Sequence, residues 1–471
     1  MVNDFYIKNG YVFTDEGFQQ AAVLVRDGKI DSLLVKEEEP LKEGSLNSID
    51  ASGCIVVPGF IDSHVHFNDP GRADWEGFET GSRAAAIGGT TTVFDMPLNS
   101  CPSVTSLQAL RQKSEHVSSR SYVDYALWGG LTGSTTSYHT DFLEMSKDIV
   151  AWKAFMCSSG IDDFDFVSPD HLKTAMKKAT EQHKILALHA EWEEEVASLG
   201  IYYKQSKGLD ERLAYLRSRP VSAEVKAVAY ALDLAAKYGT SLHFVHISSP
   251  KAVGTIHEAK RSGVDVTVET CPHYLIFDED DFLENGAVFK CAPPLRSRKD
   301  VEGLWECIVN GWIDTIGSDH SPSLYSMKTT DSIWDAWGGI QAVQFTWPAL
   351  LDQALKRGIS LTKIIPLGTS NVAGRFSISD FKGRISPGMD ADLVLIRLDE
   401  STSVDKASIA FKNPFSPYEG QTFHVRVKKT ILRGTVIYDD QTGVIQERTG
   451  RCINQGRECY EPISSTLGRS H

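Results

Sequence analysis

Hydrophobic and polar residues follow two different rhythms along this chain. Residues 4 to 35 run as short alternating stretches, Phe5-Tyr6-Ile7, Tyr11-Val12-Phe13 and Ala22-Val23-Leu24-Val25, the last followed by Asp27-Gly28. Alternation punctuated by Asp-Gly predicts strands joined by tight turns. The same texture returns at Asp392-Leu393-Val394-Leu395-Ile396 and across Thr430–Tyr438. The two ends are therefore expected to pack together as one small β-sandwich-like domain, residues 1–53 plus 384–445.

The middle of the chain alternates strands with helices. Apolar, β-branched runs fall near 54–66, 90–96, 123–130, 149–156, 185–191, 241–248, 265–272 and 313–319, most of them separated by amphipathic stretches. From Ser168 to Gln182 the pattern is that of a helix: Ser168 as N-cap, Pro169 in the first turn, and Leu172, Ala175, Met176 and Ala179 as one stripe. A second helix is expected from Ser222 to Gly239, with Val225, Val228, Leu232 and Ala235 inward. Eight strands with intervening helices predict an α/β fold of the (β/α)8, TIM-like barrel type over residues 54–383. A doubly wound open sheet is the alternative, but no Gly-x-Gly-x-x-Gly follows a strand. The polar stretch 446–471 is expected to be a loosely held C-terminal extension.

Composition changes this picture little: 41% of the residues are apolar and 23% charged, as in ordinary globular proteins. The net charge of −14 argues against nucleic acid or an anionic membrane as partner. The start, MVNDFYIKNG, lacks the pattern of a secretory signal, and no apolar run approaches a membrane span. Eight scattered cysteines without a Cys-x-x-Cys pair fit reduced thiols, and a cytoplasmic location is expected.

The chemistry is concentrated at the predicted strand ends, where a barrel of this type carries its active site. GFIDSHVHFNDPG, residues 59–71, puts His64 and His66 on one side of a strand end. His189 ends the fifth run, His246 the sixth, and Asp319 the eighth. Each has a bland explanation alone, but four histidines and an aspartate at strand ends point to a metal centre. Lys153, inside Val150–Met156, stands out because burying an ammonium ion is costly. Either it pairs with an inward carboxylate or snorkels, or its amine has reacted with CO2 to give a carbamate able to bridge two cations. His243, His320, His273, Asp62 and Cys157 are expected in packing, supporting or pocket-lining roles rather than as ligands.

These motifs, with Trp152-Lys153-Ala154-Phe155-Met156, Ser318-Asp319-His320, Glu76–Gly81, Gly88–Thr92, Cys271–Leu275 and Pro293–Arg296, resemble the cyclic amidohydrolase branch of the metal-dependent amidohydrolases from residue 4 to about 445. Within it, Phe67–Arg72, Trp75-Glu76-Gly77 and Met96–Asn99 are most similar to the allantoinases. The resemblance implies two divalent metal ions per chain, zinc first, with cobalt, manganese or nickel also acceptable. His64, His66 and Asp319 would hold one ion and His189 and His246 the other, with Lys153 as N6-carboxylysine and a hydroxide bridging them. Asp319 would be the catalytic proton carrier. The implied reaction is ring opening of a small-molecule substrate, allantoin, to allantoate, by a homotetramer or homodimer.

Asn68 and Asn99 are candidates for substrate hydrogen bonds, against a plain turn role. Dihydroorotases carry Arg where Asn68 stands, which argues against an anionic ring. Hydantoinases and dihydropyrimidinases place a Tyr shortly after the lysine, and Phe155–Ser158 has none. Those enzymes remain the alternative, and a non-catalytic scaffold of the same fold is disfavoured because all six ligand positions are filled.

Overall fold

Strands buried along nearly their whole length are covered on both faces, as in a parallel sheet flanked by helices. In the computed structural model, which describes residues 4–35, 47–138, 141–454 and 457–458, eight such strands occur. We label them β1 (Phe60–Val65), β2 (Thr90–Asp95), β3 (Asp124–Leu127, resumed at Gly129–Gly130), β4 (Trp152–Phe155), β5 (Leu186–His189), β6 (Leu242–Phe244), β7 (Val266–Thr270) and β8 (Thr315–Ile316). Every position of β1 and β2 is buried. Successive strands pair in parallel from β1 to β3 and from β3 to β8. A parallel bridge between Val65 and His320 joins the last strand back to the first. The result is the expected TIM-like barrel.

The helix predicted after Ser168 runs over Pro169–Glu181, the Ser168 side chain accepts from the His171 N–H, and Leu172, Ala175, Met176 and Ala179 are buried. The second spans Val221–Tyr238 and stops at Gly239, whose φ of 68° suits glycine. It begins one residue earlier than expected, and Val225 is only half-buried because Ala223, Glu224, Ala227 and Val228 define the inward face.

The run 54–66 is not one strand. It breaks at Gly59, so that Cys54–Pro58 pairs with Tyr11-Val12 and antiparallel with Leu393–Arg397 in a nine-stranded sheet built from both ends of the chain. Residues 54–58, expected in the barrel, thus belong to the terminal sheet. A Cβ on Gly59 would lie 2.2 Å from Thr91 Oγ1, so only glycine lets the chain pass from sheet to barrel there.

The expectation of a loose extension from 446 also needs correction over its first part. Arg451 N donates to Asp124 Oδ1 at 2.8 Å and Tyr125 N to the Arg451 carbonyl at 2.9 Å. Residues 459–471 lie outside the described residues. Asp124 belongs to a buried cluster in which Lys382 Nζ reaches Asp124 at 2.7 Å, Asp390 at 2.9 Å and Asp392 at 2.5 Å. Arg433 also pairs with Asp124. This cluster ties barrel, terminal sheet and C-terminal segment together. Among the described residues, no helix is long and apolar enough to cross a membrane.

Candidate active site

The barrel brings all six predicted ligand positions to one end. His64 lies in β1 and His66 just after it, while His189 is the last residue of β5. His246 follows β6 by two residues and Asp319 follows β8 by three. Lys153 is the second residue of β4, below the level of His189, which pairs with Phe155. All six are buried, none more than 8% exposed. His246 and Asp319 leave their strands with φ of 41° and 46°, conformations that side-chain-bearing residues hold only when their surroundings enforce them.

His64 Nε2 lies 3.1 Å and His66 Nε2 3.3 Å from Asp319 Oδ1, and these three residues could hold a metal ion together. His189 Nδ1 lies 3.0 Å from His246 Nε2. The two groups adjoin, since the His64 and His246 rings are 5.4 Å apart. A cavity of about 640 Å³ opens onto His64, His66, His189, His246 and Asp319.

Lys153 is fully buried, its Nζ has no hydrogen-bond partner among the described residues, and it sits 5.0 Å from the Phe155 ring centroid. Among the described residues no carboxylate pairs with it at salt-bridge distance, which removes the salt-bridge explanation. Burial pushes its pKa down to about 7, so a large neutral fraction is available at neutral pH. A buried amine without a hydrogen-bond partner among the described residues, close enough to Asp319, His64, His189 and His246 to interact with them electrostatically, fits a carbamate ligand, and imidazole with oxygen donors suits zinc, cobalt or nickel. Asp319 stays ionised: burial raises its pKa, but His64 and His66 outweigh this and hold it at about 2.

Two carboxylates behind the histidines escaped sequence reasoning. Glu269 Oε1 meets His64 Nδ1 at 2.8 Å, while its Oε2 accepts from Ser63 Oγ at 2.8 Å. Glu191 Oε2 meets His189 Nε2 at 2.7 Å and also takes the Arg219 guanidinium. Burial raises the Glu191 pKa, but Arg219 and the His189 bond bring it down to about 2. Carboxylates in this position orient an imidazole and select its tautomer. The available signal was a charged residue inside the otherwise uncharged Val266–Thr270, the same anomaly that exposed Lys153.

The remaining candidates separate clearly. Asp62 is no surface residue: it accepts from the His64 and Ser318 N–H groups at 3.1 and 3.0 Å, and burial raises its pKa to about 7. His243 bonds Thr267 Oγ1 at 2.8 Å. His320 receives the His66 N–H on its carbonyl at 2.8 Å, supporting the site through the backbone. His273 is buried outside the cavity wall, and burial lowers its pKa to about 4. The Cys157 thiol is buried and pushed up in pKa by burial, as a filler would be. Asn99 lines the cavity, whereas Asn68 spends its amide on the Pro322 carbonyl at 3.1 Å and does not line it. Both have left-handed backbones, φ 72° and 63°, so each is also a turn residue.

Comparison with known proteins agrees with this architecture. Residues 55–437 match the amidohydrolase family. An allantoinase from Bacillus velezensis is 41% identical over 440 residues, covering 93% of this chain and 95% of the relative. One from Solibacter usitatus is 39% identical over 439 residues, covering 93% and 94%. Among solved structures, an L-hydantoinase (dihydropyrimidinase) from Arthrobacter aurescens superposes with a TM-score of 0.91 at 31% identity, over 96% of this chain and all of that one. With near-complete coverage at this identity, the chain belongs to the amidohydrolase family and, within it, to the allantoinases.

Proposed function

We propose that the protein hydrolyses the ring amide of allantoin to give allantoate, with two divalent cations held at the barrel mouth. The observation that carries this reading is the convergence of His64, His66, His189, His246 and Asp319 on one cavity, with the amine of Lys153, from β4 of the same barrel, buried and without a hydrogen-bond partner among the described residues. His64, His66 and Asp319 would hold one cation, His189 and His246 the other, and Lys153 as its carbamate both. When bound, such ions lower the pKa of a water they share and polarise the carbonyl under attack.

The chain's own residues do the rest. Asp319 takes a proton from the attacking water and returns it to the ring nitrogen as the C–N bond breaks, since an unprotonated amide nitrogen leaves poorly. Asn99, in the cavity wall, would hydrogen-bond a neutral ureide. On this reading the barrel carries the chemistry and the terminal sheet supports it. A homotetramer or homodimer in the cytoplasm, checked by light scattering and fractionation, completes the proposal.

The test is ring opening by metal-reconstituted protein with added bicarbonate, run on allantoin, dihydroorotate, dihydrouracil and hydantoin. Allantoin is expected to react fastest, with activity lost to a chelator and raised by bicarbonate. Faster opening of hydantoins or dihydrouracil would overturn the substrate, and no turnover of any ring with two ions bound would overturn the reaction.

A further inference from the structure

The two halves of the centre differ in the charge behind their donors. On one side Asp319 is itself a donor, and Glu269 stands 2.8 Å behind His64. The other neighbours of Glu269, Ser63 Oγ at 2.8 Å and His243 Nε2 at 3.6 Å, carry no fixed charge. That half therefore presents two carboxylates that no Lys or Arg among the described residues meets at salt-bridge distance. On the other side the donors are two imidazoles, and the carboxylate found behind them among the described residues, Glu191, is gripped by Arg219. The guanidinium lies in the cavity wall and cancels that negative charge locally. Lys153 is common to both halves. In a site this buried, charges a few ångströms away are poorly screened and weigh directly on cation affinity.

We infer that the two halves hold divalent cations unequally, the His64–His66–Asp319 half more tightly, and that Glu191 is the positioning residue on which the weaker half depends. This rests on the two-cation reading proposed above. Glu191 acts through His189: its 2.7 Å bond fixes the ring so that Nδ1 faces His246. Without it the imidazole is free to turn or change tautomer, and Arg219 becomes an unopposed positive charge beside the ion.

The test uses protein loaded with Co(II) or Zn(II) and dialysed against rising chelator, with ions per chain counted by mass spectrometry. Loss is expected in two waves with a plateau near one ion. Anomalous diffraction from plateau protein is expected to find that ion among His64, His66 and Asp319. In Glu191→Gln the first wave should come at about 10–100-fold less chelator with the second unmoved, and Glu191→Asp should recover part of the difference. Loss of both ions in one wave, a plateau ion between His189 and His246, or a Glu191→Gln variant with unshifted or equally shifted waves would each overturn the inference. Should Glu191→Gln fail to fold, as judged by circular dichroism, the wild-type series and its diffraction decide alone. A wild type that binds no divalent ion sinks the two-cation reading as well, whereas two ions of equal affinity sink only this inference.

Discussion

Gly317→Ala probes the site without touching any group proposed to bind a cation. Gly317 has no left-handed backbone to defend, so alanine is objectionable there only for its methyl group. Its Cβ would lie 2.6 Å from both the Glu269 carboxyl carbon and Oε2. Carbon atoms in ordinary contact sit about 3.5–4.0 Å apart, so the carboxylate must retreat by about 1 Å. Its 2.8 Å bonds to His64 Nδ1 and Ser63 Oγ then stretch beyond hydrogen-bond range. Overpacking of this kind costs about 1–3 kcal/mol. A lost hydrogen bond to a charged group adds about 1.5–3 kcal/mol. We expect Tm to fall by roughly 5 °C. With the His64 ring no longer held, cation affinity at the His64–His66–Asp319 half should drop by about 10–100-fold. Scanning calorimetry and metal titration measure the two effects. The double variant Gly317→Ala/Glu269→Asp, whose shorter acid leaves room for the methyl, should be more stable than the two single losses together imply. Wild-type melting and wild-type metal affinity in Gly317→Ala would show that Glu269 does not brace His64.

Other expectations follow from the same geometry. Asp319→Asn should lower kcat by about 10²–10⁴-fold while the protein keeps some metal, and near-normal turnover would refute the proton-carrying role. Lys328 Nζ donates to the carbonyls of Ala287, Trp337 and Gly339 at 2.9, 2.8 and 2.7 Å, pinning a segment that lines the cavity. Lys328→Met leaves those acceptors unmatched, so KM should rise by about 10-fold with faster proteolysis of the segment; an unchanged KM would show that the segment holds itself. Burial raises the Asp124 pKa, but Lys382 and Arg433 outweigh it and hold the group below its ordinary value. A carboxyl lowered on folding stabilises above its unfolded pKa and loses that contribution as pH falls through the folded one. Wild-type Tm should therefore fall steeply below about pH 4. Asp124→Asn, weakened already at pH 7 by about 3–5 kcal/mol, should show a flatter acid slope, and parallel profiles would refute the assignment.

How much of this could be read beforehand depended on whether the signal was local. Lys153 and the five other ligand candidates were legible because each is a polar residue where strand periodicity demands an apolar one or a strand end. Glu269 carried the same local mark, yet its meaning did not, because its partner His64 lies 205 residues away. Glu191, two residues past His189, gave no sign of whether it faces the histidine or the solvent. The break at Gly59 was hidden inside a continuous apolar run, since both halves are buried strands and only their pairing partners differ.

By itself the sequence determined the element types, the barrel and the identity of the chemical groups, since backbone periodicity and side-chain chemistry are written residue by residue. Tertiary structure alone decided which carboxylate stands behind which histidine, that no carboxylate among the described residues reaches Lys153 at salt-bridge distance, and that Arg219 neutralises one half of the centre. Those are distances between residues on different strands, and barrel closure creates them.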